Sequence, residues 1–290
     1  MSINSSRLLL LLTALLFSTG GAAIKALSLT GWQRASFRSA IAGVFLLIVL
    51  RQARRWPTWR SLLVGIGYAV TMVCFVLANT YASAATAIFT QGLAPVFVLL
   101  LSPWLLREQV ARHDIAFMVA LAVGYMFLLV APETATRTAT DPGLGLLLAT
   151  GSCVGWACTL VGLRILARDR QSGAHDPTPQ ALVVGNALAC VAVLPMALPV
   201  EHFSSLDLAW LLYLGVFQIG LAYVCLVQGL RRVSALEASL LLMLEPVLSP
   251  VWTLLVHGES PHHLTWLGGG VVLFGTLVQA VARARRRAAN

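Results

Sequence analysis

The sequence predicts an all-α integral membrane protein with ten transmembrane helices, arranged as two five-helix inverted repeats with both termini in the cytoplasm. Three features support this prediction: the composition, the spacing of the apolar runs and an internal repeat. Of the 290 residues, 58% are hydrophobic and only 11% are charged, whereas soluble domains carry about 25% charged residues. So apolar a composition excludes an ordinary soluble domain.

The net charge of +9 does not indicate nucleic-acid binding. The basic residues lie in short clusters between apolar runs, without the interleaved aromatic residues of a nucleic-acid-binding surface. The five cysteines lie inside apolar runs, and neither a CxxC pair nor an HExxH sequence occurs. We therefore expect no nucleic-acid partner, no metal and no cofactor. The expected partners are the lipid bilayer and a small-molecule substrate, with the chain acting as a monomer.

Ten apolar runs are long enough to cross the hydrocarbon core, which takes roughly 20 residues. They lie at residues 8–27, 32–50, 61–79, 84–106, 114–131, 143–166, 179–199, 208–230, 235–256 and 264–282. The first run also resembles a signal peptide, because Arg7 precedes it and small residues follow its leucines. We interpret it as a membrane helix, since the run continues to Leu27 and its removal would break the repeat described below.

The Lys and Arg residues predict the orientation of the chain. With a cytoplasmic N-terminus, the inner segments carry 16 of the 20 basic residues. The outer side keeps Lys25, Arg34, Arg38 and Arg137. The alternation also supports an even number of spans, because both termini then lie on the same side.

The chain repeats itself after 151 residues, a shift that aligns residues 61–131 with the second half without a gap. Fourteen of the 71 aligned positions are identical. They include the pairs Pro95 and Pro246, Glu108 and Glu259, and Gly124 and Gly275. The predicted repeats, 8–131 and 143–282, hold five helices each, and an odd number inverts the second repeat in the membrane. Inverted repeats are typical of secondary transporters, whose substrate site lies near the midplane where the halves meet.

Three stretches, residues 80–110, 214–232 and 233–260, resemble the EamA repeats of the drug/metabolite transporter superfamily. The matching features are two helix-end glutamates, two mid-span prolines and an arginine early in the second helix: Glu108, Glu259, Pro95, Pro246 and Arg38. The resemblance covers nearly the whole chain. It implies a ten-helix exporter of small organic metabolites in the bacterial inner membrane, with amino acids or similar zwitterions as the expected substrates. It also implies a central cavity enclosed by helices 1–4 and 6–9.

The prolines predict where this cavity lies. Pro95 and Pro246 occupy equivalent mid-span positions, and a proline inside a helix displaces the carbonyl four residues earlier. Pro250 repeats the effect on the ninth helix. Uncovered carbonyls are tolerated at membrane depth only inside protein or beside a watery cavity. The prolines are therefore candidate hinges at the translocation site, and packing kinks without substrate contact are the alternative.

Glu245 lies near the centre of the ninth span, where a charged carboxylate costs about 2.5–3.5 kcal/mol. We expect it to face the cavity, to pair with a cation or to stay protonated. Its predicted role is to bind a substrate amine or a proton. The alternative is a structural carboxylate that hydrogen-bonds to a neighbouring helix. The repeat partner of Glu245 is Ala94, so a carboxylate site would be asymmetric.

Further substrate-binding candidates are polar or aromatic residues inside spans. They are Thr90, Gln91, Trp156, Gln218 and Tyr223. Lys25, Arg34 and Arg38 lie at the outer ends of the first two helices and are candidates for attracting a substrate carboxylate. Snorkelling of these long side chains to the interface is the favoured alternative.

The sequence therefore favours a secondary exporter of small zwitterions that works by alternating access. Proton-coupled efflux of drugs or toxic compounds through Glu245 is the alternative, and an intramembrane enzyme is the remote one. No P-loop occurs, so ATP-driven transport would need another subunit. The five aspartates lie in loops or at their edges, and no serine-nucleophile or zinc motif occurs. We therefore predict that the chain is not an enzyme.

Overall fold

The computed structural model describes residues 3–105, 112–131, 139–171, 177–229, 241–242 and 244–289. The α-helices in these ranges are α1 (Ile3–Ser18), α2 (Gly20–Ala26), α3 (Gly31–Val49), α4 (Trp59–Tyr81), α5 (Ala84–Gln91), α6 (Ala94–Leu105), α7 (Arg112–Val130), α8 (Pro142–Gln171), α9 (Thr178–Ala197), α10 (Ser205–Leu212), α11 (Ala222–Gly229), α12 (Leu244–His257) and α13 (His263–Ala289). A 3₁₀-helix covers Arg51–Arg54, and a π-helix covers Tyr213–Leu221. Glu108 and Arg137 lie outside the described residues.

Six helical segments of the described residues are long and apolar enough to cross a membrane. They are Asn4–Ala26, Trp59–Tyr81, Ala84–Leu101, Pro142–Leu163, Thr178–Ala197 and Ser205–Gly229, and Ile115–Val130 is a shorter apolar helix. Helix α3 is 19 residues long, but Arg34 and Arg38 make it less apolar. The all-helical prediction is confirmed for the described residues, and the count of ten spans stays a prediction.

Large apolar side chains cover much of the outside of the bundle. Leu8 is 67% exposed, Leu147 68% and Phe274 68%. A soluble monomer rarely exposes apolar surface on this scale. In a bilayer these side chains contact lipid, so the exterior agrees with a multi-pass membrane protein.

Two of the predicted spans are broken into shorter helices. The first span divides into α1 and α2 at Thr19, whose hydroxyl donates to the carbonyl of Leu16 at 2.7 Å. The fourth span divides into α5 and α6 at Gly92 and Leu93. Broken helices at membrane depth are tolerated where they are buried in protein or line a cavity. Gly20 and Leu93, which lie beside the two breaks, are both buried in the protein.

The helix contacts follow a reciprocal pattern between the two halves. Helix α4 packs against α8, and its repeat equivalent α11 packs against α1. Helices α5 and α6 pack against α8, and their equivalent α12 packs against α1. Helix α3 contacts α9, and α7 contacts α13, so repeat equivalents also pack on each other.

The extensive α4–α8 contact depends on small residues. A Cβ atom added at Gly155 would lie 3.0 Å from the carbonyl oxygen of Gly67 and 3.0 Å from the backbone nitrogen of Thr71. Only hydrogen atoms fit in that space, so the two backbones approach closely. This is the packing expected of membrane helices, which associate through small residues because lipid provides no hydrophobic drive.

Candidate functional site

An internal cavity of about 180 Å³ lies between the two halves of the chain. It is lined by Phe17, Arg38, Met72, Phe75, Ile88, Gln91, Gly92, Trp156, Gln218, Ile219, Tyr223, Glu245 and Pro246. Typical ligand pockets measure roughly 300–1,000 Å³. The cavity in this conformation is smaller than this range.

The cavity brings together most of the predicted substrate-binding residues. Gln91, Trp156, Gln218, Tyr223 and Glu245 all line it. Thr90 does not: its side chain is completely buried, and its hydroxyl has no hydrogen-bond partner within the described residues. Its role in substrate binding stays a prediction.

Gln218 reaches the cavity from the π-helix of the eighth span. Segments of this kind are rare and occur frequently at functional sites. The side chain of Gln218 lies next to Gly20, where an added Cβ would approach its Nε2 to 2.7 Å. Its Oε1 atom has no partner among the described residues. The break after α1 and the π-helix thus meet at the edge of the cavity.

The fourth span is interrupted directly before Pro95, and the role of this proline as a hinge stays a prediction. Helix α6 begins at Ala94, so Pro95 occupies its first turn, where the missing N–H interrupts no helical hydrogen bond. The chain breaks before the proline, at Gly92, and Gly92 itself lines the cavity. The side-chain amide of Gln91 donates to the hydroxyl of Ser152 at 3.4 Å. The backbone carbonyl oxygen of Gln91 lies 3.9 Å from Cys153 Sγ.

The prolines of the ninth span occupy two different environments. Pro246 lies in the first turn of α12 and lines the cavity. Pro250 lies inside α12 and is buried away from the cavity, and its carbonyl accepts from the hydroxyl of Thr253 at 3.1 Å. Pro250 is therefore the interior helix proline, whereas Pro246 borders the site.

Arg38 is buried on the cavity wall with only 1% of its surface exposed. Its Nη2 atom lies 3.4 Å from the carbonyl oxygen of Met72 and 3.5 Å from Met72 Sδ. Its Nε atom has no partner, and no carboxylate pairs with it in the described part of the chain. The expectation that Arg38 snorkels is wrong, because it lies two turns into α3, about 10 Å from the helix end.

Glu245 faces the same cavity from α12, in the opposite half of the chain. The residue is half-buried, and its carboxyl group makes no hydrogen bond or ion pair with any described residue. A guanidinium and a carboxyl group therefore line one cavity without forming an ion pair with each other. Such an arrangement offers a guanidinium and a carboxyl group to a bound molecule from opposite halves of the chain.

Lys25 and Arg34 lie away from the cavity. The ammonium of Lys25 lies 3.0 Å from the Glu259 carboxylate, and the two side chains are 2% and 8% exposed. Lys25 also donates to the carbonyl of Ala82 at 2.9 Å. Arg34 donates to the carbonyl of Leu27 at 2.7 Å. The carboxylate that Lys25 meets is thus a protein group, and its predicted snorkelling is wrong.

Tyr68 and Asn186, which are not among the predicted site residues, lie directly behind the cavity wall. Tyr68 packs edge-to-face on Tyr223, with ring centroids 5.5 Å apart. Asn186 donates to the Tyr68 hydroxyl at 3.2 Å. Both Tyr68 and Asn186 are fully buried. Each is a polar residue in the middle of an apolar run, and that was the signal available in the sequence.

The fold defines a multi-pass membrane protein with a largely apolar cavity inside it, into which a few polar side chains face. The profile of the EamA-like transporter family matches the chain twice, over residues 4–130 and 143–280. These two matches cover most of the chain, which therefore belongs to the EamA-like transporter family.

Two relatives and one solved structure show the extent of the similarity. An uncharacterized transporter of Archaeoglobus fulgidus is 26% identical over 253 residues, covering 84% of this chain and 86% of the relative. The pseudopaline exporter CntI of Pseudomonas aeruginosa is 25% identical over 292 residues, covering 98% of each chain. A crystal structure with 19% identity superimposes with a TM-score of 0.64 and covers 98% of this chain and 99% of its own. That structure supports the fold alone.

Proposed function

We propose that this protein is a secondary exporter of small zwitterionic metabolites, with amino acids among them. The carrying observation is that Arg38 and Glu245 line the same cavity and are not paired with each other. A guanidinium binds carboxylates through charge-assisted hydrogen bonds, and a carboxylate binds an ammonium group. A zwitterion would satisfy both protein groups at once, which offsets the cost of keeping them inside the membrane.

The proposed architecture has ten spans in two inverted five-helix repeats, residues 8–131 and 143–282, with both termini in the cytoplasm. Two observations support it: the family profile matches twice, and the packing of α4 on α8 recurs as α11 on α1. We place the protein in a bacterial inner membrane on the basis of the sequence resemblance. Export as the direction draws support from the Pseudomonas aeruginosa relative, which is named as an exporter.

The proposed mechanism is alternating access around the cavity. Substrate sites of inverted-repeat transporters lie at the repeat interface and are formed by discontinuous helices. Here the chain breaks at Gly92, which lines the cavity, and at Thr19, next to Gly20 and Gln218. Short helical segments on both sides of a site are able to move as units while the site keeps its contacts.

The test is the extracellular small-molecule profile of bacteria that overproduce the protein. We expect defined zwitterions to accumulate outside cells with the wild type, and at least about tenfold less with Arg38→Gln or Glu245→Gln, because each removes a charge-assisted contact. Arg34→Gln is the matched control, since Arg34 lies on the same helix and away from the cavity. Membrane abundance is measured for every variant.

Two outcomes would contradict the proposal. One is a wild-type profile identical to that of cells with an empty vector. The other is an equal loss of export in Arg34→Gln and Arg38→Gln, since the effect would then not depend on the cavity.

Proton-coupled efflux through Glu245 is a second candidate, favoured by the absence of any described partner for its carboxyl group. Such a carboxyl group is able to exchange protons when the cavity opens to water. Proteoliposomes with Glu245→Gln separate the two mechanisms. Transport that still responds to an imposed pH gradient in this variant rules out Glu245 as the proton carrier.

A further inference from the structure

A buried ion pair joins the two halves of the chain at a distance from the cavity. The Lys25 ammonium lies 3.0 Å from the Glu259 carboxylate, and the two side chains are 2% and 8% exposed. Lys25 belongs to the first family match and Glu259 to the second. The function proposed above gives this pair no role.

The first half holds the Glu259 carboxylate at two points. The ammonium of Lys25 faces one carboxylate oxygen. The backbone N–H of Ala84, the first residue of α5, donates to the other oxygen at 2.7 Å. Lys25 also donates to the carbonyl of Ala82 at 2.9 Å, which ties it to the turn before α5. Glu259 is thus a side chain of the second half that lies between two donors of the first half.

A glycine turn at the end of α12 places Glu259 at this point. Gly258 has a φ of 67°, a left-handed conformation that favours glycine. The N–H groups of Gly258 and Glu259 donate to carbonyls of the last turns of α12 at 3.0 and 3.3 Å, as in a Schellman cap. His257, the last residue of α12, has its Nε2 atom 2.8 Å from the carbonyl oxygen of Ala22 in α2. The end of α12 is therefore attached to the first half at two neighbouring points.

This contact lies between the cavity and one end of the bundle. Ile88 lines the cavity, and Ala84 lies four residues before it on α5, a rise of about 6 Å along the helix. Lys25 and Glu259 lie at the ends of the first and ninth predicted spans, which are outside the cell in the proposed orientation. Separation of Glu259 from its two donors would therefore loosen the halves between the cavity and the exterior.

An ion pair is suited to a contact that opens and closes. In the closed contact each charge compensates the other, and after separation each charge would be hydrated. Because the desolvation cost of a buried pair roughly cancels its attraction, neither state is strongly favoured.

We propose that Glu259, held by Lys25 and by the N–H of Ala84, is the outer latch of the transporter. The latch is closed in this structure and breaks whenever the cavity opens to the outside. This inference rests on the proposed alternating access and deepens it, because it names the residues that close one side of the cavity.

The first test measures access to the cavity and needs no substrate. In a variant with its five cysteines replaced, Phe75→Cys places a thiol on the cavity wall. The rate at which a membrane-impermeant maleimide labels this thiol in intact cells reports opening to the outside. We expect Glu259→Gln to raise the rate at least about tenfold, because the closed state then buries the Lys25 ammonium without its carboxylate, whereas the open state hydrates it.

Two further variants show whether the charge is the cause. Lys25→Met/Glu259→Gln leaves no charge to bury, so its labelling rate should return towards that of the intact latch. Asp141→Asn is the matched control. Asp141 lies at the same end, where its N–H donates to the carbonyl of Tyr81, and its exposed carboxylate accepts the N–H of Leu144 near the start of α8. We expect this variant to label at the rate of the intact latch.

The second test asks whether export requires the latch to open. In the same cysteine-free background, Lys25→Cys/Glu259→Cys is joined by a short, reducible bis-methanethiosulfonate. We expect the cross-link to stop the export of amino acids that the unlinked variant exports, and dithiothreitol to restore it. If the unlinked variant does not export, Ser28→Cys/Asp207→Cys replaces it, because Ser28 Oγ donates to Asp207 Oδ2 at 2.6 Å across the halves.

Two results would overturn the inference and leave the proposed function intact. One is a Glu259→Gln labelling rate equal to that of the intact latch. The other is export by the cross-linked protein at the unlinked rate, which shows a contact that only stabilises the fold. If the wild type exports no amino acid, the proposed function fails, while the labelling rates still decide whether this contact closes the outer side.

Discussion

At the scale of single residues, the ionisable side chains inside the bundle lie in two different kinds of environment. Lys25 and Glu259 neutralise each other at 3.0 Å, and the Glu259 carboxylate also accepts the backbone N–H of Ala84 at 2.7 Å. Arg38 and Glu245 form no ion pair with a described residue and face a cavity instead. Lys25 and Glu259 therefore form a contact inside the protein, whereas Arg38 and Glu245 line the cavity without a described ion-pair partner.

The Lys25–Glu259 pair gives a prediction about stability. Removing one partner of a buried ion pair typically costs 3–5 kcal/mol, because a buried charge is left uncompensated. We therefore expect Lys25→Met to lower the free energy of unfolding by about 3–5 kcal/mol, measured by thermal or denaturant unfolding in detergent.

The double variant Lys25→Met/Glu259→Gln is the informative control. It removes both charges and keeps an amide oxygen that is able to accept from Ala84. We expect it to be more stable than Lys25→Met alone. A double variant that is as unstable as the sum of two independent losses would contradict the assignment of these residues as a pair.

At the scale of the elements, the site depends on interruptions of the helices and on close packing around them. The break at Gly92 brings backbone to the cavity, and the π-helix Tyr213–Leu221 turns Gln218 towards it. The α4–α8 contact at Gly155 fixes one wall, because Thr71 and Gly67 leave no room for a side chain there. Trp156, next to Gly155 in the chain, lines the cavity.

Substitution of Gly155 tests this packing. An alanine Cβ would lie 3.0 Å from backbone atoms of α4, which cannot move aside as a flexible side chain can. We expect Gly155→Ala to lower the unfolding midpoint by several degrees, the response to a loss of about 1–3 kcal/mol from overpacking.

Gly270 provides the matched control, because a Cβ added there meets nothing within 4 Å. Alanine is the better helix former by about 1 kcal/mol, so Gly270→Ala should preserve or raise the midpoint. Equal destabilisation by both substitutions would show that the α4–α8 contact is not the cause.

At the scale of the whole molecule, one half contributes a guanidinium to the cavity and the other half a carboxyl group. Arg38 belongs to the first family match and Glu245 to the second, and the cavity lies between them. Movement of one half relative to the other would therefore change the distance between the two groups. In the proposed alternating-access mechanism, this change in distance would let the site bind a zwitterionic substrate and then release it.

The proposed topology is testable in intact cells. In a variant with its five cysteines replaced, we introduce Gln52→Cys or His202→Cys, both at exposed positions. The proposed orientation places Gln52 in the cytoplasm and His202 outside, so a membrane-impermeant maleimide should label only His202→Cys before lysis. Labelling of Gln52→Cys in intact cells would contradict cytoplasmic termini.

From the linear chain we predicted the membrane class, the positions of the apolar runs and the family. These predictions depend on the composition, on the alternation of basic residues between connecting segments and on the internal repeat, all of which are properties of the linear sequence. The linear sequence also identified five candidate residues: Glu245, Gln91, Gln218, Trp156 and Tyr223. An ionisable or polar group inside an apolar run is costly in a membrane, and an aromatic group there is easily recognised in the sequence.

Which of the basic residues lines the cavity is visible only in the folded structure. Lys25, Arg34 and Arg38 are alike in the sequence, and each lies near the outer end of a predicted span. Their fates differ because burial and partners depend on helices far away in the chain: Glu259 neutralises Lys25, while no described carboxylate reaches Arg38. The hydrogen bond between Tyr68 and Asn186 is likewise visible only in the folded structure, because it joins α4 to α9 and leaves no pattern in the linear sequence.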